Sequence, residues 1–280
     1  MVEERDRPMN GEAASQPAEE VRTDSAASAG PRALDLLPVK NGFRMRGTRL
    51  TRLETFMDAA FAFATTMLVI SVGEIPGDYG QLMEAMKRVP SFLCSFVVIM
   101  LFWLGHRTWS RRYGLEDGKT ILISIALIFV LLVYVYPLRL MFSALFGWVS
   151  GGWLPSRYTP GGPGEITGLF AVYGFGLFAM AGLMSLLYAR ARMAAESLML
   201  NAREELSTSL EVFAWCTVSL TGLSSALLSL LLPGRFALLA GFVYMVLPVV
   251  LPLVDARFSR RIRSLAGSAP SEELHREDGD

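Results

Sequence analysis

Two carboxylates and a histidine stand where this chain has few other polar groups. The stretch RLTRLETFMDAAFAFATTMLVISVGEIP places Arg52, Glu54 and Asp58 at the head of an apolar run, and VPSFLCSFVVIMLFWLGHRTWSRRY places Trp103, His106, Arg107 and Trp109 at the tail of the next. Glu54 and Asp58 are four residues apart, so on a helix they are like-charged neighbours that need partners from elsewhere. An aspartate at membrane depth is costly unless paired, which makes Asp58 a candidate functional residue. Trp103 and His106 are three apart and share a helix face, so an indole N–H and an imidazole N–H can both be directed at the Asp58 carboxylate. That triplet reads as a polar clasp, as a direct ion contact, or as a protonation-sensitive element, since the reference pKa of histidine is about 6.5.

Other chemistries find little support. One histidine with one aspartate is too thin a donor set for a metal, no serine or cysteine nucleophile faces a base, and Cys94 and Cys216 both sit inside apolar blocks. No enzyme, cofactor or metal centre is expected. There is no basic face for nucleic acid: the 26 basic and 26 acidic residues cancel, with acids crowding the ends of the chain and arginines flanking the apolar blocks.

The elements that must position these residues are membrane helices. Hydrophobic types make up 52% of the 280 residues and charged types only 19%, and the apolar residues fall in long uninterrupted blocks. A helix of about 20 residues crosses about 30 Å of hydrocarbon. Six segments qualify, approximately 53–74, 90–109, 120–142, 167–188, 211–232 and 236–255, the last two joined by Leu232-Pro233-Gly234-Arg235. Lys and Arg in the successive connections number five, two, four, two, three, one and four. This alternation puts sixteen on one side and five on the other, so the positive-inside bias predicts an even number of spans with both termini cytoplasmic.

The reading is therefore an all-α polytopic membrane protein in three parts. Residues 1–38 form a disordered cytosolic tail, 39–263 the six-span domain and 264–280 a second disordered tail, because the ends are too poor in apolar residues to fold. The loop from Phe146 to Glu165, rich in Gly and Pro and carrying Trp148, Trp153 and Tyr158, reads as interfacial. The small residues of the fourth span, Gly174, Gly176 and Gly182 among them, read as a close-packing face. Pro137, Pro248 and Pro252 are candidate kinks. Beyond Asp58 the first span offers Ala59, Phe63 and Ile70 on one broad strip with Thr66 and Met67 between, so a pore lined by it would be narrowed by apolar groups that gate by dewetting.

Arg52, Phe56-Met57-Asp58 and the Trp103-to-His106 spacing, with six spans in all, resemble the bacterial members of the lysosomal and endosomal potassium channel family, the transmembrane protein 175 family. Its signature is an arginine, three variable residues, then Phe-Ser-Asp. The similarity covers about residues 48–258, and its specific part lies in the first two spans. The resemblance implies a homotetramer in a cell membrane, the bacterial inner membrane for a bacterial source. It also implies a central path for potassium ions lined by the first helices, with Phe63, Met67 and Ile70 as pore-lining constrictions. Arg52, Asp58, Trp103 and His106 would then form the polar network that keeps helices one and two in register. Met57 stands in place of the signature serine, Ala59 where glycine is frequent, and Phe63 where a branched aliphatic is usual. The function expected is a passive potassium-selective channel; these departures motivate the alternative, a non-conducting scaffold or regulator built on the same fold.

Overall fold

In a computed structural model, residues 36–257 are described, apart from 72, 74, 157, 159–161, 233–238 and 255. Residues 1–35 and 258–280, which hold all of the expected C-terminal tail and all but the last three residues of the N-terminal one, lie outside them, as does the Pro233-Gly234-Arg235 stretch; of the tail residues 36–38, Pro38 accepts from the Met45 N–H at 2.9 Å.

Five helices are long and apolar enough to cross a membrane: α1 (Arg52–Ile70), α3 (Val89–Tyr113), α4 (Gly118–Val149), α5 (Pro163–Met193) and α6 (Ala202–Leu231). Their ends carry the expected signals. The Thr51 side chain caps α1 by accepting from the Glu54 N–H, and Asn201 with Glu204 forms a capping box on α6. Pro90 opens α3, and Gly114 closes it at φ 59°. The helices α4, α5 and α6, at 32, 31 and 30 residues, outrun the expected spans, and α4 stays helical from Phe146 to Val149, where the interfacial loop was expected to begin. The surface fits a multi-pass membrane protein: Leu122, Phe129, Val133 and Tyr136 of α4 are exposed while Thr120, Ser124 and Arg139 on the same helix are buried.

Of the sixth apolar segment, expected over 236–255, the helix Leu239–Val254 is described, and residues 236–238 and 255 lie outside the described residues. It opens as α7 (Leu239–Phe242) and tightens into a 3₁₀ stretch over Val243–Val246. Pro248 explains the tightening, since its ring clashes with the carbonyl four residues back, at Tyr244, and removes an N–H donor. Ser225 of α6 donates to the Ala240 carbonyl at 2.9 Å, and Tyr244 meets Tyr173 edge to face, so the segment still docks on α5 and α6.

Two small elements add to the six-span reading. The short helix α2 (Tyr79–Lys87), capped by Asp78, lies between α1 and α3, and Lys87 approaches the Trp153 ring to 5.8 Å. Before α1, β1 (Val39–Lys40) pairs antiparallel with β2 (Phe43–Arg44) in a minimal hairpin. Phe43 is buried edge to face on Tyr113 of α3.

Helices α5 and α6 cross with almost no side chain between them. A Cβ on Gly222 would stand 2.8 Å from the Gly174 carbonyl oxygen and 2.9 Å from the Phe178 nitrogen, both backbone atoms that cannot yield. This is how small residues stabilise helix pairs in lipid, where dispersion must replace the hydrophobic effect. Gly222→Ala is accordingly expected to destabilise by about 1–3 kcal/mol through overpacking, measured as a lower unfolding midpoint in detergent.

Candidate functional site

Helices α1, α3 and α4 pack against one another, and the polar groups of the first two apolar runs meet at the end of the bundle that carries the hairpin. Trp103 Nε1 donates to Asp58 Oδ1 at 2.8 Å, which joins α3 to α1. The guanidinium of Arg107 stacks over the Trp103 ring at 5.2 Å. Because Asp58 is exposed on the protomer, the bond has the net worth of an ordinary hydrogen bond. Trp103→Phe, which keeps an aromatic ring but loses the donor, is expected to cost about 1 kcal/mol, seen as a fall in thermal midpoint that is absent when Asp58 is already asparagine.

His106 does not share that carboxylate. It is 3% exposed, and its Nε2 lies 3.3 Å from Ser124 Oγ on α4, with the ring tilted on Trp109. The reason is rotational. Residues three apart on a helix differ by about 60° in direction, and on α3 that offset is enough to turn Trp103 towards α1 and His106 towards α4. Arg52 is exposed at the first turn of α1, and among the described residues no hydrogen bond or ion pair joins it to Asp58. Of the four residues expected to form one network, the structure brings Asp58 and Trp103 together.

Glu54, expected to need an outside partner, finds it in Arg111: the two form an ion pair of 3.0 Å, with the Glu54 side chain buried. Arg112 pairs with Glu211 of α6 at 3.0 Å, and Arg190 of α5 pairs with Asp117 in the α3–α4 connection at 3.2 Å. Partial burial pushes the Asp117 carboxyl up, but hydrogen bonds from Thr120 and Arg190 outweigh it and hold the group below its usual range.

The face that α1 turns away from its own subunit is equally well defined. Met57, Phe61, Ala64 and Leu68 are buried in the core. Opposite them Phe56, Ala59, Phe63, Thr66 and Ile70 are exposed at alternating steps of three and four. That spacing is the seam along which parallel helices from several chains can meet. Phe63 is 56% exposed and Ile70 64%, whereas Met67 sits at the edge, partly buried against the core. Thr66 lies near the middle of the exposed face. Its hydroxyl donates to the Ala62 carbonyl at 3.0 Å, so its outward lone pairs are acceptors only. The sequence signal for Thr66 was its place seven residues after Ala59; what it lacked was the azimuth of the helix.

A family model described as endosomal/lysosomal potassium channel TMEM175 matches residues 52–137, which hold every candidate site residue. A protein of Marivirga tractuosa described as a potassium channel is 34% identical over 233 residues, 79% of this chain and 93% of its own length. The chain belongs to the TMEM175 potassium channel family. A crystal structure of a variant of the potassium channel MtTMEM175, bound to a nanobody fusion, superposes with a TM-score of 0.69 at 33% identity. The match covers 80% of this chain and all of that one. The TMEM175 family match begins at Arg52 and ends at Pro137, so the hairpin, α5 and α6 lie beyond its model.

Proposed function

We propose that four copies of this chain form a passive potassium-selective channel, with six spans per subunit and both termini cytoplasmic, in a cell membrane, the inner membrane of a bacterial source. The observation that carries the reading is the exposed Phe56–Ala59–Phe63–Thr66–Ile70 seam on α1, an apolar stripe with one hydroxyl near its centre, directed away from a fully packed inner face. Gathered around an axis, four such seams give a dry constriction at Phe63 and Ile70 with a ring of acceptor oxygens from Thr66 between them. Cations pass such a site only when it is wetted. Met67 flanks the seam and holds the Phe63 and Ile70 levels in place. The Asp58–Trp103 bond keeps α1 in register with α3 at the inner mouth, while Arg52 stands exposed on the first turn of α1 and His106 joins α3 to α4 through Ser124. The names of the relatives support potassium as the ion, and the basic alternation of the connections supports the orientation.

The test is potassium efflux from liposomes holding the purified protein, together with its oligomeric mass. Tetramers with potassium flux exceeding sodium flux, running only down a gradient, are expected. Intact tetramers that pass no cation would defeat the reading and favour the non-conducting scaffold, for which Met57 and Phe63 are the motivating departures.

A further inference from the structure

We infer that Arg46 and Glu204 are positioning residues for α1, fixing the strap of residues 45–48 to α6 so that the inner end of the helix is held at one tilt. The inference rests on α1 lining the ion path.

Glu204 is fully buried and Arg46 nearly so, and their guanidinium and carboxylate approach to 2.8 Å. Every N–H of the Arg46 side chain is used. Nε donates to the Leu198 carbonyl at 2.9 Å, Nη1 to the Arg44 carbonyl at 3.1 Å and Glu204 Oε1 at 3.3 Å, and Nη2 to Glu204 Oε2 at 2.8 Å and the Met199 carbonyl at 3.4 Å. The carboxylate is equally full, since it also accepts from the Arg44 N–H at 2.7 Å and the Asn201 N–H at 3.1 Å. Five donors and about four acceptor positions are the full complement of these groups, so nothing is left over to bind an ion or ligand. A buried ion pair contributes little net stability over an apolar pair of the same shape, and its best-attested use is to fix one arrangement against others.

What it fixes leads directly to the helix. The strap N–H groups of Arg46 and Gly47 donate to the carbonyls of Arg112 at 3.3 Å and Arg111 at 3.1 Å, two of the last carbonyls of α3, which the helix leaves unsatisfied. Gly47 makes this approach possible, because a Cβ there would collide with the Ser110 carbonyl. Arg111 then donates back to the Gly47 carbonyl at 3.4 Å and pairs with Glu54 at 3.0 Å, one turn before Asp58. The contacts run from α6 through the strap and α3 to the first turn of α1.

The experiment places a cysteine at Thr55, an exposed α1 position, in a chain whose Cys94 and Cys216 are alanine. Its modification rate by a water-soluble thiol reagent is compared with the potassium-to-sodium flux ratio in liposomes. Glu204→Gln and Gly47→Ala are expected to fold and elute as the parent does, to change the thiol rate by about threefold or more and to lower the flux ratio by a similar factor. Should Glu204→Gln not fold, Arg46→Lys serves in its place: an ammonium keeps the charge but cannot span Leu198, Met199 and Glu204 together, and the same two shifts are expected. Folded variants with unchanged thiol rate and unchanged flux ratio would overturn the inference. If the parent passes no cation, the channel reading fails and the thiol rate alone decides this one.

Discussion

Glu204→Ala is expected to lower the unfolding free energy by about 3–5 kcal/mol, the cost of stranding one member of a buried ion pair. The truncation leaves the Arg46 guanidinium 2% exposed without its counter-charge, and it orphans the backbone N–H groups of Arg44 and Asn201 in the same step. It also removes half of the capping box at the start of α6. Arg46→Met combined with Glu204→Leu is expected to recover a large part of the loss, since an apolar pair needs neither hydration nor a partner. A double-mutant cycle in detergent, read from denaturation midpoints, measures the coupling. A single variant as stable as the parent would mean that the pair is solvated and would remove the basis for any positioning role.

Phe63→Ala is expected to raise cation flux about tenfold and to bring the potassium and sodium rates close together, a tenfold gain corresponding to about 1.4 kcal/mol off the barrier. The ring is 56% exposed on the protomer and belongs to the seam opposite the buried face, so its removal takes little from the subunit's own core and, on the proposed arrangement, widens the constriction. A wider, more easily wetted passage lets an ion keep more of its hydration, and discrimination by size falls with it. Leu68→Ala, on the buried face of the same helix, provides the contrast: a loss of stability through the cavity it opens, with no comparable gain in flux. If Phe63→Ala and the parent conduct alike, α1 does not turn this seam to the path.

Much of the architecture was legible in the residues because the bilayer imposes a local rule. Each of the first five apolar blocks became one long helix, and Thr51, Asn201 and Gly114 stand at the ends where capping chemistry would put them. The sixth block shows the limit of that rule, since hydropathy counts apolar residues but not the backbone cost of Pro248, and the helix tightens to 3₁₀ geometry over Val243–Val246 just before it. Helix α2 escaped notice because nine amphipathic residues fall below the length that a span requires. The Asp58–Trp103 bond was readable from two polar groups arriving at one end of antiparallel runs, but the 60° that sends His106 to Ser124 instead was not.

The sequence by itself determined the membrane class, the placement of the helices along the chain and the small set of polar residues that had to be satisfied, since each follows from hydropathy and charge within a window of about 20 residues. The tertiary structure decided which way α1 faces, so that Thr66 joins Phe63 and Ile70 on the exposed side while Met67 leans on the core. It also decided that Arg46 pairs with Glu204 across 158 positions of chain. Helix rotation and distant pairing depend on how several helices pack at once, and no local pattern carries that information.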